Sequence, residues 1–461
     1  MTSQRDQHRK FAMTKLHNMT ISEASDEIRK KNVSPVELLE SFLKRSESLE
    51  GDLNVWVTMD PELAMKSAKV CESEITLGRY KGPLHGIPIG VKDIYYTRDM
   101  KTTCCSPIFK DFESGYDSEP VKLLREAGAV IMGKTVTTQF ACGDPPPTRN
   151  PWNLRRTPGG SSSGSAVGIA AGYFPASLGS QTAGSVLRPA AYNGVVGFKP
   201  THGLVSRFGV YPVALSLDTM GWFTKNVQDS ATMLQCMAGY DDRDEGSVFS
   251  EIPRYSDAFL ENKAPKIGLV EQYYLDEADD ETVSSIHALA DKLSNAGAEV
   301  SKVSLDIDFE QILAAHRVIM TVEGAFTHKC NFAARPEDYL PEVRKIIETG
   351  NRTSAVSYVS ARNAQRELKS AVERVLEGYD LLLSPTAVSG APTPETTGQP
   401  VFQAPWTMAG IPSISLPYSL DVEGMPLGAQ LAGKFLGESS LLATAAWVEN
   451  IVEFRKVPNI S

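Results

Sequence analysis

The sequence has no long hydrophobic run. Its longest mostly apolar stretch, residues 166–176, is broken by two glycines and a proline. That falls far short of the ~20 residues a membrane-crossing helix needs. The opening MTSQRDQHRKFAMTKLHNMT lacks the apolar segment of a secretory leader. A cytoplasmic protein with no membrane partner is therefore expected. Cysteine is scarce: Cys71, Cys104, Cys105, Cys142, Cys236 and Cys330 are the only six, and none stands in C-x-x-C spacing. They read as reduced thiols rather than a disulfide framework or a metal site. Positive charge is in deficit, with a formal net charge of −10, which counts against a nucleic-acid partner. With 35 glycines and 28 prolines in 461 residues, the chain is neither fibrous nor low-complexity. No repeat of 20–50 residues is visible, which excludes solenoids and propellers.

What is present is ordinary globular composition, 42% hydrophobic and 22% charged, in a chain long enough to bury a large core. Residues 20–80 read as helical. Ser34-Pro35-Val36-Glu37 is a capping box with proline at the first helical position. Gly86-Ile87-Pro88-Ile89-Gly90-Val91-Lys92 reads as a buried strand ending in a lysine. EPVKLLREAG and AVIMG, within residues 119–135, predict a helix, a glycine cap and a strand. A long polar loop covers 141–165. The block 245–380 is more charged and more helical, with a clean strand at Lys266-Ile267-Gly268-Leu269-Val270. Further strands are expected at 379–383, 413–417 and 428–432. Such alternation predicts an α/β fold, one large mixed sheet covered by helices on both faces. With no linker evident, residues 1–461 are expected to form one domain: a helical region (20–80), a core (85–240), a variable block (245–380) and the rest of the core (380–455).

Three glycine-rich motifs compete for the function. Gly128-Ala129-Val130-Ile131-Met132-Gly133-Lys134-Thr135 satisfies G-x-x-x-x-G-K-[ST]. A phosphate loop must be a turn with free N–H groups, whereas Ala-Val-Ile-Met favours a strand and the preceding glycine caps a helix. A nucleotide-binding protein using Gly128–Thr135 is thus the alternative from another class. Gly160-Ser161-Ser162-Ser163-Gly164 satisfies G-x-S-x-G. A nucleophile elbow needs an apolar strand before it and a histidine late in the chain. Polar TRNPWNLRRTPG precedes it, and His202, His287, His316 and His328 all stop well short of the end. The third reading combines Gly159-Gly160-Ser161-Ser162-Ser163-Gly164-Ser165, Gly184-Ser185 and the strand-end Lys92, because two serines and a lysine can perform acyl transfer without histidine.

This third set resembles the amidase signature family. The resemblance rests on Pro158-Gly159-Gly160-Ser161-Ser162, a second serine 24 residues after the first at Ser185, and Val91-Lys92-Asp93. Leu178-Gly179-Ser180-Gln181-Thr182-Ala183-Gly184-Ser185 and Gly194-Val195-Val196-Gly197-Phe198-Lys199-Pro200-Thr201 extend it. It is strong over about residues 35–240, weaker over 380–450 and slight in between. There are departures: Ser180-Gln181 stands where many members have Thr-Asp. Ala183 replaces one of a glycine pair, and the arginine usual two residues after the nucleophile stands at the third, Arg188. Thr407 stands where an asparagine is typical.

The resemblance implies Ser185 as nucleophile, Ser161 as bridging serine on a cis peptide bond with Gly160, and Lys92 as general base. It places the oxyanion hole in the N–H groups of Thr182, Ala183, Gly184 and Ser185. Ser162 and Gly160 are expected around the substrate, with Trp406 and Phe140 as candidate substrate contacts. Asp93 and Arg188 are expected to hold architecture. A free lysine is neutral only about once in 2,500 at pH 7, so Lys92 must be buried to serve as a base. The resemblance also implies an amidohydrolase using an acyl-enzyme, with no cofactor or metal, as a monomer or homodimer. A neutral, partly aromatic small-molecule amide or carbamate is the expected substrate, with urethane or ureido hydrolysis as the alternative. Nothing in the sequence supports the family's tRNA-linked, ammonia-producing branch, and Gln181 counts against it.

Overall fold

The computed structural model describes residues 16–260 and 263–460. Eleven strands form one mixed sheet: β1 (Trp56–Met59), β2 (Pro88–Lys92), β3 (Val130–Thr135), β4 (Ala176–Gln181), β5 (Val196–Lys199), β6 (Thr219–Thr224), β7 (Lys266–Val270), β8 (Glu299–Val303), β9 (Leu381–Pro385), β10 (Ser413–Leu420) and β11 (Pro426–Ala432). Their order is β1-β3-β2-β4-β6-β5-β10-β11-β9-β7-β8. β3, β2 and β4 run parallel, as do β9, β7 and β8, while the strands between them pair antiparallel. The fold is the α/β architecture expected, with the variable block contributing β7 and β8 to the same sheet.

Both faces of the sheet are covered. Alternate residues of a strand face opposite sides, and Leu381 and Leu383 of β9 join one hydrophobic cluster while Leu382 joins another. Ile267 and Leu269 against Val270, and Leu431 against Ala432, divide the same way. The second cluster packs Phe309, Ile312, Ile319, Leu368 and Trp406 against the sheet. Local signals act as read. The helix Pro35–Leu53 starts at Ser34 with the reciprocal Ser34–Glu37 box and ends at left-handed Asn54. β1 interrupts the region read as helical. It is only half-buried and pairs with β3 at the edge of the sheet.

Residues 130–135 are strand, so the G-x-x-x-x-G-K-[ST] match is not a phosphate loop. The Lys134 ammonium is buried, 3.0 Å from the Asp93 carboxylate and 2.8 Å from Thr102 Oγ1. This pair ties the end of β3 to the turn that follows Lys92. Removing one partner of a buried pair strands the other charge, at about 3–5 kcal/mol. Lys134→Met is expected to lose stability on that scale in urea denaturation. ATP is expected to leave the melting temperature of the parent unchanged, because the amine has no free valence for phosphate.

Candidate active site

The site forms at the carboxyl ends of parallel β2 and β4, where α/β sheets usually take their ligands. Lys92 is the last residue of β2, and register Val91 to Leu178 sets the end of β4 beside it. Lys92 Nζ lies 2.8 Å from both Ser161 Oγ and Ser180 Oγ, with no solvent exposure. Burial disfavours the ammonium and lowers its pKa to about 7, against an opposing pull from Asp218. The shift is in the direction a lysine base requires, towards the neutral amine. Burial also raises the Asp218 carboxyl, to about 6.

Ser161 is held from several sides. Its peptide bond to Gly160 is cis. Its carbonyl accepts from Thr138 N at 3.1 Å, and the Gly160 carbonyl accepts from Arg188 Nη2 at 2.7 Å. Only glycine fits at 160, where a Cβ would meet Thr397 Cγ2 at 2.8 Å and Thr138 Cγ2 at 3.0 Å. Ser162 is buried with its hydroxyl engaged by the Ser180 backbone at 3.3 Å. That position is no exposed nucleophile elbow.

Residues 182–185 link β4 to the helix Leu187–Asn193. Thr182, Ala183, Ser185 and Arg188 line a cavity of about 910 Å³. The loop's carbonyls are tied away from it: Thr182 O accepts from His316 Nε2 at 2.9 Å, Ala183 O from Thr407 Oγ1 at 2.7 Å, and Gly184 O from Arg188 N at 3.0 Å. Gln181 Oε1 takes the N–H groups of Val186 and Leu187 at 2.9 and 3.0 Å, and its amide donates to Thr407 at 2.9 Å. Ser180, Gln181 and Thr407, three departures from the family pattern, thus form one connected frame. A Cβ at Gly184 would lie 2.3 Å from Gln403 Oε1, so a larger residue there requires the Gln403 side chain to move.

The sequence-predicted residues separate into two groups. Lys92 and Ser161 are in direct contact, and Thr182, Ala183 and Ser185 share the cavity wall. Gly160 and Ser162 lie buried behind it. Trp406 and Phe140 are buried and are not among the residues lining this cavity. Trp406 stacks on Tyr274 with ring centroids 5.9 Å apart, inside the second hydrophobic cluster. Phe140 packs among Tyr339, His328, Tyr211 and Phe109; both rings are buried, and the Trp406 Nε1–H finds no hydrogen-bond partner among the described residues. Much of the rest of the cavity is lined by Ala314, Arg317, Val318 and Thr321 of the helix Phe309–Ala334, by Lys345 and Ile346 of the helix Pro341–Arg352, by the 395–400 loop and by the 141–145 segment. Asp218 and His316 were not singled out as site residues by the sequence. Among the described residues no cluster of three or more His, Cys, Asp or Glu is arranged to hold a metal.

The fold and these motifs define an amidase-signature protein. The family model Amidase matches residues 37–442, and the chain belongs to that family. Among curated relatives, it is 36% identical to one of the subunits of Glutamyl-tRNA(Gln) amidotransferase from Halothermothrix orenii, over 95% of this chain and 98% of that one. It is 35% identical to the protein of the same name from Geobacter metallireducens, over 93% and 96%. The sequence motifs gave no support to the tRNA-linked branch, yet these relatives carry its name. Among solved structures, the peptide amidase of Stenotrophomonas maltophilia superposes with a TM-score of 0.85 at 27% identity, over 96% of this chain and 98% of that one. The 6-aminohexanoate cyclic dimer hydrolase, at 24% identity, shares the fold with a TM-score of 0.86, over 96% and 99%. The chain is accordingly an enzyme of a family that acts on C–N bonds.

Arg188 offers a direct test of the frame. Its buried guanidinium bridges Gly160 O and, at 2.9 Å, Gly398 O. Arg188→Met leaves both carbonyls unpaired, at about 1–3 kcal/mol each. A loss of about 2–6 kcal/mol in urea denaturation is expected, with Arg188→Lys losing less because one ammonium still reaches one carbonyl.

Proposed function

We propose that the chain is an amidohydrolase that cleaves a C–N bond of a neutral, partly aromatic small-molecule amide or carbamate through Ser185, Ser161 and Lys92. The observation carrying this reading is the dry 2.8 Å contact between Lys92 Nζ and Ser161 Oγ, beside a cavity lined by Ser185. Neutral Lys92 accepts the Ser161 proton while Ser161 accepts that of Ser185. Ser185 Oγ attacks the carbonyl carbon, and the developing oxyanion is met by N–H groups of residues 182–185. The relay then runs in reverse: the leaving nitrogen takes the proton, the C–N bond breaks, and an acyl-enzyme remains for water to hydrolyse. Val213, Val318, Met320 and Ile346 give the cavity an apolar stretch of wall that suits a bulky acyl or leaving group, while Arg317, Glu342 and Lys345 also line it. Urethane and ureido substrates need the same machinery and remain within this reading.

The names of the curated relatives support a second reading, an amidotransferase component working with partner proteins on Glu-tRNA(Gln). A chromogenic panel of an anilide, an aryl carbamate and an ester separates the two. Turnover by the purified chain, lost by at least about 10³-fold in Ser185→Ala, supports the hydrolase. Inactivity on the panel, with ammonia released from glutamine only after partner proteins are added, supports the other.

The pH profile follows from the base. The group must lose a proton to act, and its pKa is lowered to about 7. kcat/KM is expected to rise tenfold per pH unit below about 7 and level off above it. A profile that keeps rising to pH 10 contradicts the assignment of Lys92.

A further inference from the structure

Among the candidates outside the Ser185–Ser161–Lys92 set, the strongest is the pair of struts on Thr182. Thr182 is gripped at both ends. Its hydroxyl donates to Asp218 Oδ1, and the other oxygen of that carboxylate accepts from Val213 N and Ala214 N at 2.8 and 3.0 Å. Its carbonyl accepts from the His316 ring at 2.9 Å. His316 comes from the variable block, 134 residues away, on the helix Phe309–Ala334. Ala314, Arg317, Val318 and Thr321 of that helix line the cavity. His316 itself faces inward, almost fully buried. The helix that shapes the substrate space therefore reaches the oxyanion loop through this side chain.

We infer that His316 is a positioning residue that fixes the Thr182 peptide, so that the 182–185 N–H groups face the reacting carbonyl, and thereby couples the variable helix to the catalytic loop. The inference rests on the reading of Ser185 as nucleophile. A carbonyl partner requires the ring to carry its proton on Nε2. Burial lowers the imidazole to about 4, so the ring stays neutral, with that tautomer, across the working range. Without the donor, Thr182 O is a buried acceptor with no partner, and the peptide can rotate to find one. That rotation would turn oxyanion donors away from the transition state, where they contribute most, and leave ground-state binding in the cavity intact.

The test needs no knowledge of the natural substrate. An alkyl fluorophosphonate reacts at a serine hydroxyl: the Ser185 Oγ–P bond forms, fluoride leaves, and the phosphoryl oxygen occupies the oxyanion position. Inactivation rate and probe affinity are measured for the parent, His316→Leu, His316→Gln and Ser185→Ala, with melting temperatures alongside. The expected result is a roughly tenfold or greater fall in the maximal inactivation rate for His316→Leu with affinity within about threefold, and recovery of most of the rate in His316→Gln, which keeps an N–H donor. Equal rates in parent and His316→Leu overturn the inference, as does a loss in both variants that simply follows the melting temperature. Labelling that persists in Ser185→Ala removes the nucleophile itself, and the inference falls with it; that failure is told apart by the Ser185→Ala arm alone.

Discussion

The site depends on one constraint: an amine on a buried strand end that has hydroxyls, and no contacting carboxylate, for partners. Lys92 has no exposure, and among the described residues its amine reaches Ser161 and Ser180 within hydrogen-bond distance. An ammonium there loses its hydration without a direct counter-ion, so the neutral form gains. The neighbouring residue shows the contrast. Asp93 turns to Lys134, 3.0 Å away, and takes the charged lysine of β3. Two buried lysines on neighbouring strands thus receive opposite environments, one with a carboxylate and one without.

That constraint explains the crowding around it. β4 must run beside β2 to bring Ser180 to the amine. The turn at Gly160 must be tight enough to bring Ser161 there as well, which is why a Cβ at 160 collides with two threonines. The loop 182–185 is then held by segments from across the chain: Arg188 and Gln181 locally, Asp218 after β5, His316 in the variable block, and Thr407 near the end. Such a frame is expected where backbone donors must be placed before the reaction starts rather than during it. The cavity side is different in kind. Its walls come largely from the helices Phe309–Ala334 and Pro341–Arg352 and from the 141–145 and 395–400 segments, and the first of these helices also reaches the frame through His316.

Much of this was legible in the sequence because the signals are local. The Ser34–Glu37 box, the strand at 266–270 and the strand end at Lys92 all depend on residues within a few positions of one another. The serine and glycine runs are likewise contiguous. β1 was not legible: four half-buried residues between two capped helices are strand only because β3 pairs with them. The packing of Trp406 and Phe140 was not legible, because an aromatic near a motif carries no sign of which way its ring turns. Here both rings found aromatic partners in the core. The struts on the loop lie beyond sequence reasoning for a different reason. Asp218, His316 and Thr407 meet residues 181–183 across separations of 36, 134 and 224–226 positions, and no periodicity or spacing encodes such pairings.

The most direct measurement is the titration of Lys92 itself. Protein carrying [13Cε]lysine would be followed by NMR from pH 5 to 11, with Lys92→Met identifying the resonance. A midpoint near 7 is expected for a buried amine poised as a base. A midpoint near 10.4, the ordinary value for lysine, contradicts a neutral lysine at working pH and with it the proton relay through Ser161.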